Sequence, residues 1–166
     1  TTFLTRKHIF KQIVGFDETL FAHMEEIDYH WKCQLMGHEV WVVPNSVIYH
    51  RGAVTLPVSS PKKTYLNYRN SLILLLTNYP LSISFCLFFP RFFMECISII
   101  KEILTFKWRH ALSIIKSWVW IIFHIGVLYQ RRQKLTNKHM PDSISKFSIV
   151  MKYYLMGKNT FTDQIN

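Results

Sequence analysis

The apolar positions near the start of the chain recur with a helical period. Ile9, Phe10 and Ile13 share one face of the run RKHIFKQIV. That spacing predicts a helix with Thr5 as its N-cap and Gly15 at the left-handed position past its end. The residues before Thr5 read as a residual strand. Phe16-Asp17-Glu18 then reads as a turn, and Leu20-Phe21 returns to the core. A second helix opens at Glu25, runs to about Met36 and stops at Gly37. Ile27, Trp31 and Leu35, four residues apart, mark its buried stripe. Asp28 and Lys32 can pair on its outer face. Residues 39–43 are β-branched and aromatic and are halted by Pro44, so they predict a strand. Val47-Ile48-Tyr49 predicts a second extended piece with His50 at its end, followed by a loop through Gly52 to Pro61.

The pattern changes after Pro61. Residues 62–77 carry Tyr65, Leu66, Arg69, Leu72 and Leu76 at helical spacing. No charge occurs from Asn70 to Pro90, a stretch long enough to cross a bilayer. Asn78-Tyr79-Pro80 interrupts it, because proline disfavours helix at the residue before it, so two pieces are expected. A second uncharged run, 117–130, holds Trp118 and Trp120 and ends in Tyr129-Gln130-Arg131-Arg132. Aromatic residues beside a basic cluster are the mark of an interfacial helix, lying in the plane or re-entering as a tilted pair. From Pro141 onward the pattern is a mixed helix and tail.

Charge divides the chain at the same place. Residues 1–57 carry five basic and six acidic side chains, about −1. Residues 58–166 carry fifteen basic and four acidic ones, about +11. A basic tail threaded with long Ile/Leu/Phe/Trp runs favours an anionic membrane surface over nucleic acid. Three cysteines without metal-finger or CxxC spacing suggest buried thiols in a reducing compartment. Phosphate-binding glycine loops, GxSxG and HExxH are absent, which removes most soluble enzyme classes.

Three candidates for chemistry remain. Glu25, Glu26 and Asp28 crowd a helix start, where a carboxylate beside a pocket can act as general base. Taken alone, they read better as a solvated helix N-terminus, and His23 just before them could line the same pocket. His50, at a strand end before a glycine loop, can be a metal ligand or a phosphate contact, although a lone histidine is more often a rim residue. Lys62, Lys63 and Arg69 can meet a diphosphate, although taken alone they read better as an ordinary basic helix face.

Several of these features occur in one order: GFDETLF, then HMEEIDYHW, then GHEVWVVP, then VIYHRG, then SPKKTYLNYRN. In this order and spacing the stretch resembles the C-terminal part of the catalytic domain of family 2 glycosyltransferases, in the bacterial rhamnosyltransferase-like branch. The resemblance covers about residues 1–80. It implies an α/β fold: residues 1–57 as the C-terminal, acceptor-side part of a GT-A, Rossmann-like domain, and residues 58–166 as a helical, basic, membrane-associated tail. Glu26 matches the catalytic base, Glu25 its acidic neighbour and Asp28 a third acid that organises the loop. His23, Trp31, Lys63 and Arg69 are expected at the substrates. His50 matches a histidine that completes a site for a divalent metal, Mg or Mn, beside a DxD motif absent from this chain. Departures are Glu26 where Asp is common, Val14-Gly15 for a double glycine, and Arg51-Gly52-Ala53 after His50.

The resemblance implies inverting transfer of a sugar, rhamnose being one candidate, from a nucleotide-sugar to a saccharide or lipid-linked acceptor. The work would be cell-surface polysaccharide synthesis at the cytoplasmic face of the bacterial inner membrane. The chain is then expected to be part of a longer protein and inactive alone. The alternatives are a non-enzymatic basic membrane-associated module and, ranked lower, a nucleic-acid binder.

Overall fold

The computed structural model describes residues 2–49, 57, 59–135, 152, 153, 156, 157 and 160. Six helices follow one another: α1 (Lys7–Gln12), α2 (Glu25–Leu35), α3 (Pro61–Asn78), α4 (Leu81–Leu104), α5 (Trp108–Phe123) and α6 (Ile125–Lys134). Among the described residues there is no strand. The α/β, Rossmann-like expectation is therefore corrected to an all-helical arrangement. The physical reason is visible at 39–43 and 47–49. Both segments have strand composition, yet among the described residues no neighbouring strand stands beside them to receive their backbone hydrogen bonds. An unpaired strand is not stable in isolation, and Trp41, Val42, Val47 and Tyr49 are left exposed. The residual strand expected before Thr5 is likewise irregular.

The helices themselves follow the sequence closely. α3 has Pro61 in its first turn, where the missing N–H costs nothing, and stops two residues before Pro80. α4 starts directly after Pro80 and continues through Pro90 for 24 residues. The 117–130 run breaks at His124, whose ring stacks on Trp120, and α5 and α6 meet there at 70°. At the front, Gly15 does take the left-handed backbone expected of it (φ 66°). Thr5, by contrast, caps nothing. Arg6 occupies the N-cap of α1, and the Thr5 hydroxyl pairs with the Tyr29 hydroxyl at 2.9 Å.

Helix α3 is the centre of the packing. It lies against α5, α6, α4 and α2. Leu72, Ile73 and Leu74 of α3 form one core with Leu20, Ile121 and Leu128. A second, smaller core joins Ile13, Tyr29 and Cys33, with Phe3 and Phe10 against it. Phe3 and Phe10 pack on the Tyr29 ring at centroid separations of 5.2 and 5.6 Å.

Helix α2 buries only part of the stripe its apolar spacing predicts: Trp31 is buried and Leu35 half-buried. Ile27 is half exposed, whereas Asp28, Tyr29, Trp31 and Cys33 are buried. Asp28 does pair with Lys32, but inside the protein, at 1% exposure, rather than on an outer face. Its carboxylate also receives hydrogen bonds from Asn78 (2.9 Å) and Arg131 (3.1 Å). Arg131 reaches Asp17 with its other terminal nitrogen. One guanidinium from α6 thus holds two carboxylates from the front of the chain. Burial works to raise the Asp17 pKa, but the Arg131 charge and the Thr19 hydrogen bonds outweigh it and leave the carboxyl below its ordinary value.

Two outcomes follow. Arg131→Ala, which leaves both carboxylates to share Lys32, is expected to cost at most about 3–5 kcal/mol, measured by thermal or denaturant unfolding. Because the folded Asp17 pKa is depressed, its stabilisation is complete above the unfolded carboxylate value of about 4 and is lost as pH falls through the lower folded value. The melting temperature should therefore drop on acidification below about pH 4, and Asp17→Asn should flatten that part of the curve.

Candidate functional site

The turn that delivers Glu25 and Glu26 is held in a conformation that its residues do not favour. Phe21, His23 and Met24 all have positive φ (60°, 67° and 72°) and none is glycine. Such backbone costs on the order of 1–3 kcal/mol per residue and persists only where the surroundings impose it. Here α3 imposes it through two adjacent side chains. Arg69 donates to the carbonyls of Thr19 (2.8 Å) and Leu20 (3.1 Å). Asn70, fully buried, donates to the carbonyls of Leu20, Ala22 and His23 at 2.7–2.8 Å. The Arg69 Nε also donates to the Asn70 side-chain oxygen at 2.9 Å, which fixes the amide's orientation. Helix α2 begins directly after this pinned turn, with Met24 as its left-handed N-cap.

The carboxylates open onto a cavity of about 440 Å³ lined by Phe3, Phe16, Asp17, Glu18, Phe21, Glu25 and Glu26. Glu25 Oε2 is buried without a hydrogen-bond partner, a free acceptor at the wall. Glu26 has no ion pair among the described residues. Its neighbour one turn along, His30, has its imidazole pKa lowered by burial, an effect that the Glu26 charge partly offsets. A neutral His30 leaves Glu26 without a cationic neighbour there at pH 7. On the far side of Asp17 a second cavity, about 460 Å³, is lined by Lys32 and Arg131, whose charges are already matched by Asp17 and Asp28.

The other residues expected at the site are distributed differently. Arg69 is buried and spends its guanidinium on the turn, and its plane lies near the Tyr65 and Trp120 rings. It is a positioning residue in this arrangement. Trp31 packs edge-on against Tyr79, at 4.6 Å between centroids, away from the cavity. Lys63 is half-buried in the first turn of α3 and does not line the cavity. His23 contributes its carbonyl to Asn70, while its Nε2 is buried and unpartnered. Asp28 sits below the turn as part of the ionic node rather than at the cavity. His50 lies outside the described residues.

Among the described residues no group of three or more His, Cys, Asp or Glu side chains is placed to hold a metal ion. These residues do not by themselves fit the divalent cation that the resemblance implies, and no step is routed through one. Phe3, Phe16 and Phe21, which line the cavity, were not singled out for it in the sequence. For Phe16 and Phe21 the signal was the local GFDETLF order, and Phe3 lies outside it. Comparison with protein-family models, with curated proteins and with solved structures returns no match.

The grip of α3 on the turn has a direct test. Asn70→Ala removes the amide shared by the Leu20, Ala22 and His23 carbonyls; Leu20 keeps its bond from Arg69, and each carbonyl left unpaired costs about 1–3 kcal/mol. Hydrogen exchange at residues 22–26 should accelerate, while exchange in the α3–α5 core changes little. Unchanged exchange at the turn would show that α3 does not impose its shape.

Proposed function

We propose that the chain forms the acceptor-binding, proton-accepting part of an inverting glycosyltransferase that works at a membrane surface. The observation that carries this reading is the cavity walled by Glu25, Glu26, Phe3, Phe16 and Phe21, beside a turn held by Arg69 and Asn70. Carboxylates accept hydrogen bonds from hydroxyl groups, and aromatic rings cover the apolar face of a sugar ring. The same wall of carboxylates repels a diphosphate, so this cavity suits the acceptor, a saccharide or a lipid-linked saccharide, and not the nucleotide-sugar donor.

In the proposed step Glu26 takes the proton of an acceptor hydroxyl. The oxygen forms a bond to the anomeric carbon as the bond to the leaving diphosphate breaks, and the configuration inverts. The base must be ionised near neutral pH and within hydrogen-bond reach, and among the described residues no cation pairs with Glu26 to compete with the hydroxyl. Glu25, with its unpartnered oxygen, orients the acceptor through a second hydroxyl. The nucleotide and its cation bind outside the described residues. Rhamnose remains one candidate for the transferred sugar, and the acidic leaflet of a bacterial inner membrane is the proposed location.

Glu26→Gln keeps the shape and removes the base. In the natural protein at its full length, transfer from a nucleotide-sugar should fall by about 10²–10⁴-fold with little change in acceptor affinity. Wild-type turnover in that variant would sink the reading and would favour a non-enzymatic membrane module.

A further inference from the structure

Helix α4 is polar on the inside and apolar on the outside. Its inward face carries Ser84, Arg91 and Glu95. Ser84 donates to the Leu75 carbonyl at 2.8 Å. Arg91 pairs with Glu95 one turn along and donates to the Ser71 hydroxyl at 2.7 Å. Glu95, at 2% exposure, also accepts from the Trp118 indole N–H of α5. These three inward polar groups are therefore consumed by α3, α5 and one another. Its exposed side chains include Phe85, Phe89, Phe93, Ile97, Ile100 and Leu104. At 3.6 residues per turn the exposed apolar positions cover roughly two-thirds of the circumference.

That geometry separates two ways of meeting a membrane. A helix that lies on a bilayer surface shows an apolar face to lipid and a polar face to water. Helix α4 keeps no polar face along its length: its exposed polar side chains, Ser82 and Lys101, stand in its first and last turns. Its 24 residues measure about 36 Å at 1.5 Å per residue, against a hydrocarbon layer of about 30 Å. Only 11% of its most apolar window is covered by the rest of the protein, at a mean hydropathy of 1.8. Helix α5 turns Ala111, Ser113 and Ser117 inward, small side chains of the kind that let helices approach closely within lipid. Lys116 on the outer flank of α5 is exposed and sets a limit to insertion on that side.

Charge selects lipid over a protein partner as the occupant. The Thr64 hydroxyl and His110 Nδ1 meet at 2.7 Å, which ties the first turns of α3 and α5 together. Lys62, Lys63, Lys101, Lys107 and Arg109 are thereby collected at one end of the helix group, with Phe106 and Trp108 exposed among them. Cations and aromatic rings at the end of an apolar helix match a layer of anionic phosphates.

We propose that α4 is sunk in bilayer hydrocarbon, with the Lys62, Lys63, Lys101, Lys107 and Arg109 end seated among the phosphates of anionic lipids. This goes beyond attachment to a surface and does not depend on the sugar-transfer reading. The exposed Cys86 supplies a native reporter on the outer face of α4, and Cys33 is buried. In a Cys96→Ser background, spin labels are placed at Cys86 and, with Cys86→Ser added, at Phe93→Cys or Ile100→Cys. The protein is reconstituted in phosphatidylcholine vesicles with and without phosphatidylglycerol. At all three positions oxygen should relax the label more than a water-soluble nickel chelate does, most strongly at position 93. High nickel access would place the helix in water. Low access to both reagents would mean that a second copy or another protein covers the face. Either result overturns the proposal. Lys107→Glu combined with Arg109→Glu should weaken partition to the anionic vesicles by about tenfold or more while sparing the neutral ones. Equal partition of wild type and variant to anionic vesicles would overturn the placement of the basic end.

Discussion

Helix α2, which carries the candidate carboxylates, is joined to the main helix group chiefly through polar contacts. Its apolar contacts are mainly to the front cluster of Ile13, Phe3 and Phe10. What ties it to the bundle is one buried ionic node and one set of backbone clamps. In the node Arg131 holds Asp17 and Asp28 together while Asn78 and Lys32 share Asp28. In the clamps Arg69 and Asn70 hold the carbonyls of the 19–23 turn. Apolar packing tolerates sliding, because dispersion contacts are individually weak and non-directional. Charge-assisted hydrogen bonds do not, since a displaced donor leaves a buried acceptor unpaired. The position of Glu25 and Glu26 relative to α3 is therefore fixed by direction-dependent bonds.

How much of this was legible in the sequence depended on whether the deciding partner was near or far along the chain. The bounds of α2 and α3 were legible because glycine, proline and first-turn acids act within a few residues. The break before Pro80 was legible for the same reason. The role of Asp28 was not. Its spacing to Lys32 suggests a surface pair, and only the arrival of Arg131, about a hundred positions later, explains why the pair is buried. The turn at 21–24 gave no signal at all, since Phe, His and Met are poor choices for a left-handed backbone, and the compensation comes from Arg69 and Asn70 on another helix. The strand reading of 39–43 failed through the same kind of dependence. Composition prepares a strand, but a neighbour completes it. Of the candidate site, Glu25 and Glu26 stand at a cavity, while Arg69 and Trp31 were read as substrate contacts and stand in supporting positions.

Placing the polar groups of α4 inward also changes the meaning of the basic tail. Fifteen cations after residue 57 read, from composition, as a diffuse attraction to an acidic surface. In the structure they do different work. Arg69, Arg131 and Arg132 are turned inward onto carbonyls and carboxylates. Arg91 is spent on Glu95 and Ser71. Among the described residues, five of the remaining cations gather where α3 begins and α4 turns into α5, while Lys116 and Lys134 are exposed elsewhere. A charge count therefore overstates the long-range field and understates its focus, and a focused cluster beside an apolar helix sets orientation as well as affinity.

That focus and the acidic cavity are near neighbours. Lys62, in the first turn of α3, lies 4.8 Å from the centroid of the Phe21 ring, and Phe21 lines the cavity. The lip of the carboxylate pocket and the basic end of the helices thus share a contact. On the proposed placement, with the basic end among lipid phosphates, the lip of the pocket would lie beside the headgroup layer. The opposed signs then have complementary uses. The cations hold the lipid phosphates, and the carboxylates exclude phosphate from the pocket while accepting hydroxyl groups that project from the same layer. A soluble saccharide needs neither arrangement. An acceptor carried on a lipid needs both, because its hydroxyls must be presented to a base while its anionic attachment is kept outside. On the two proposals taken together, the lipid-linked acceptor is the better match of the two classes to this geometry.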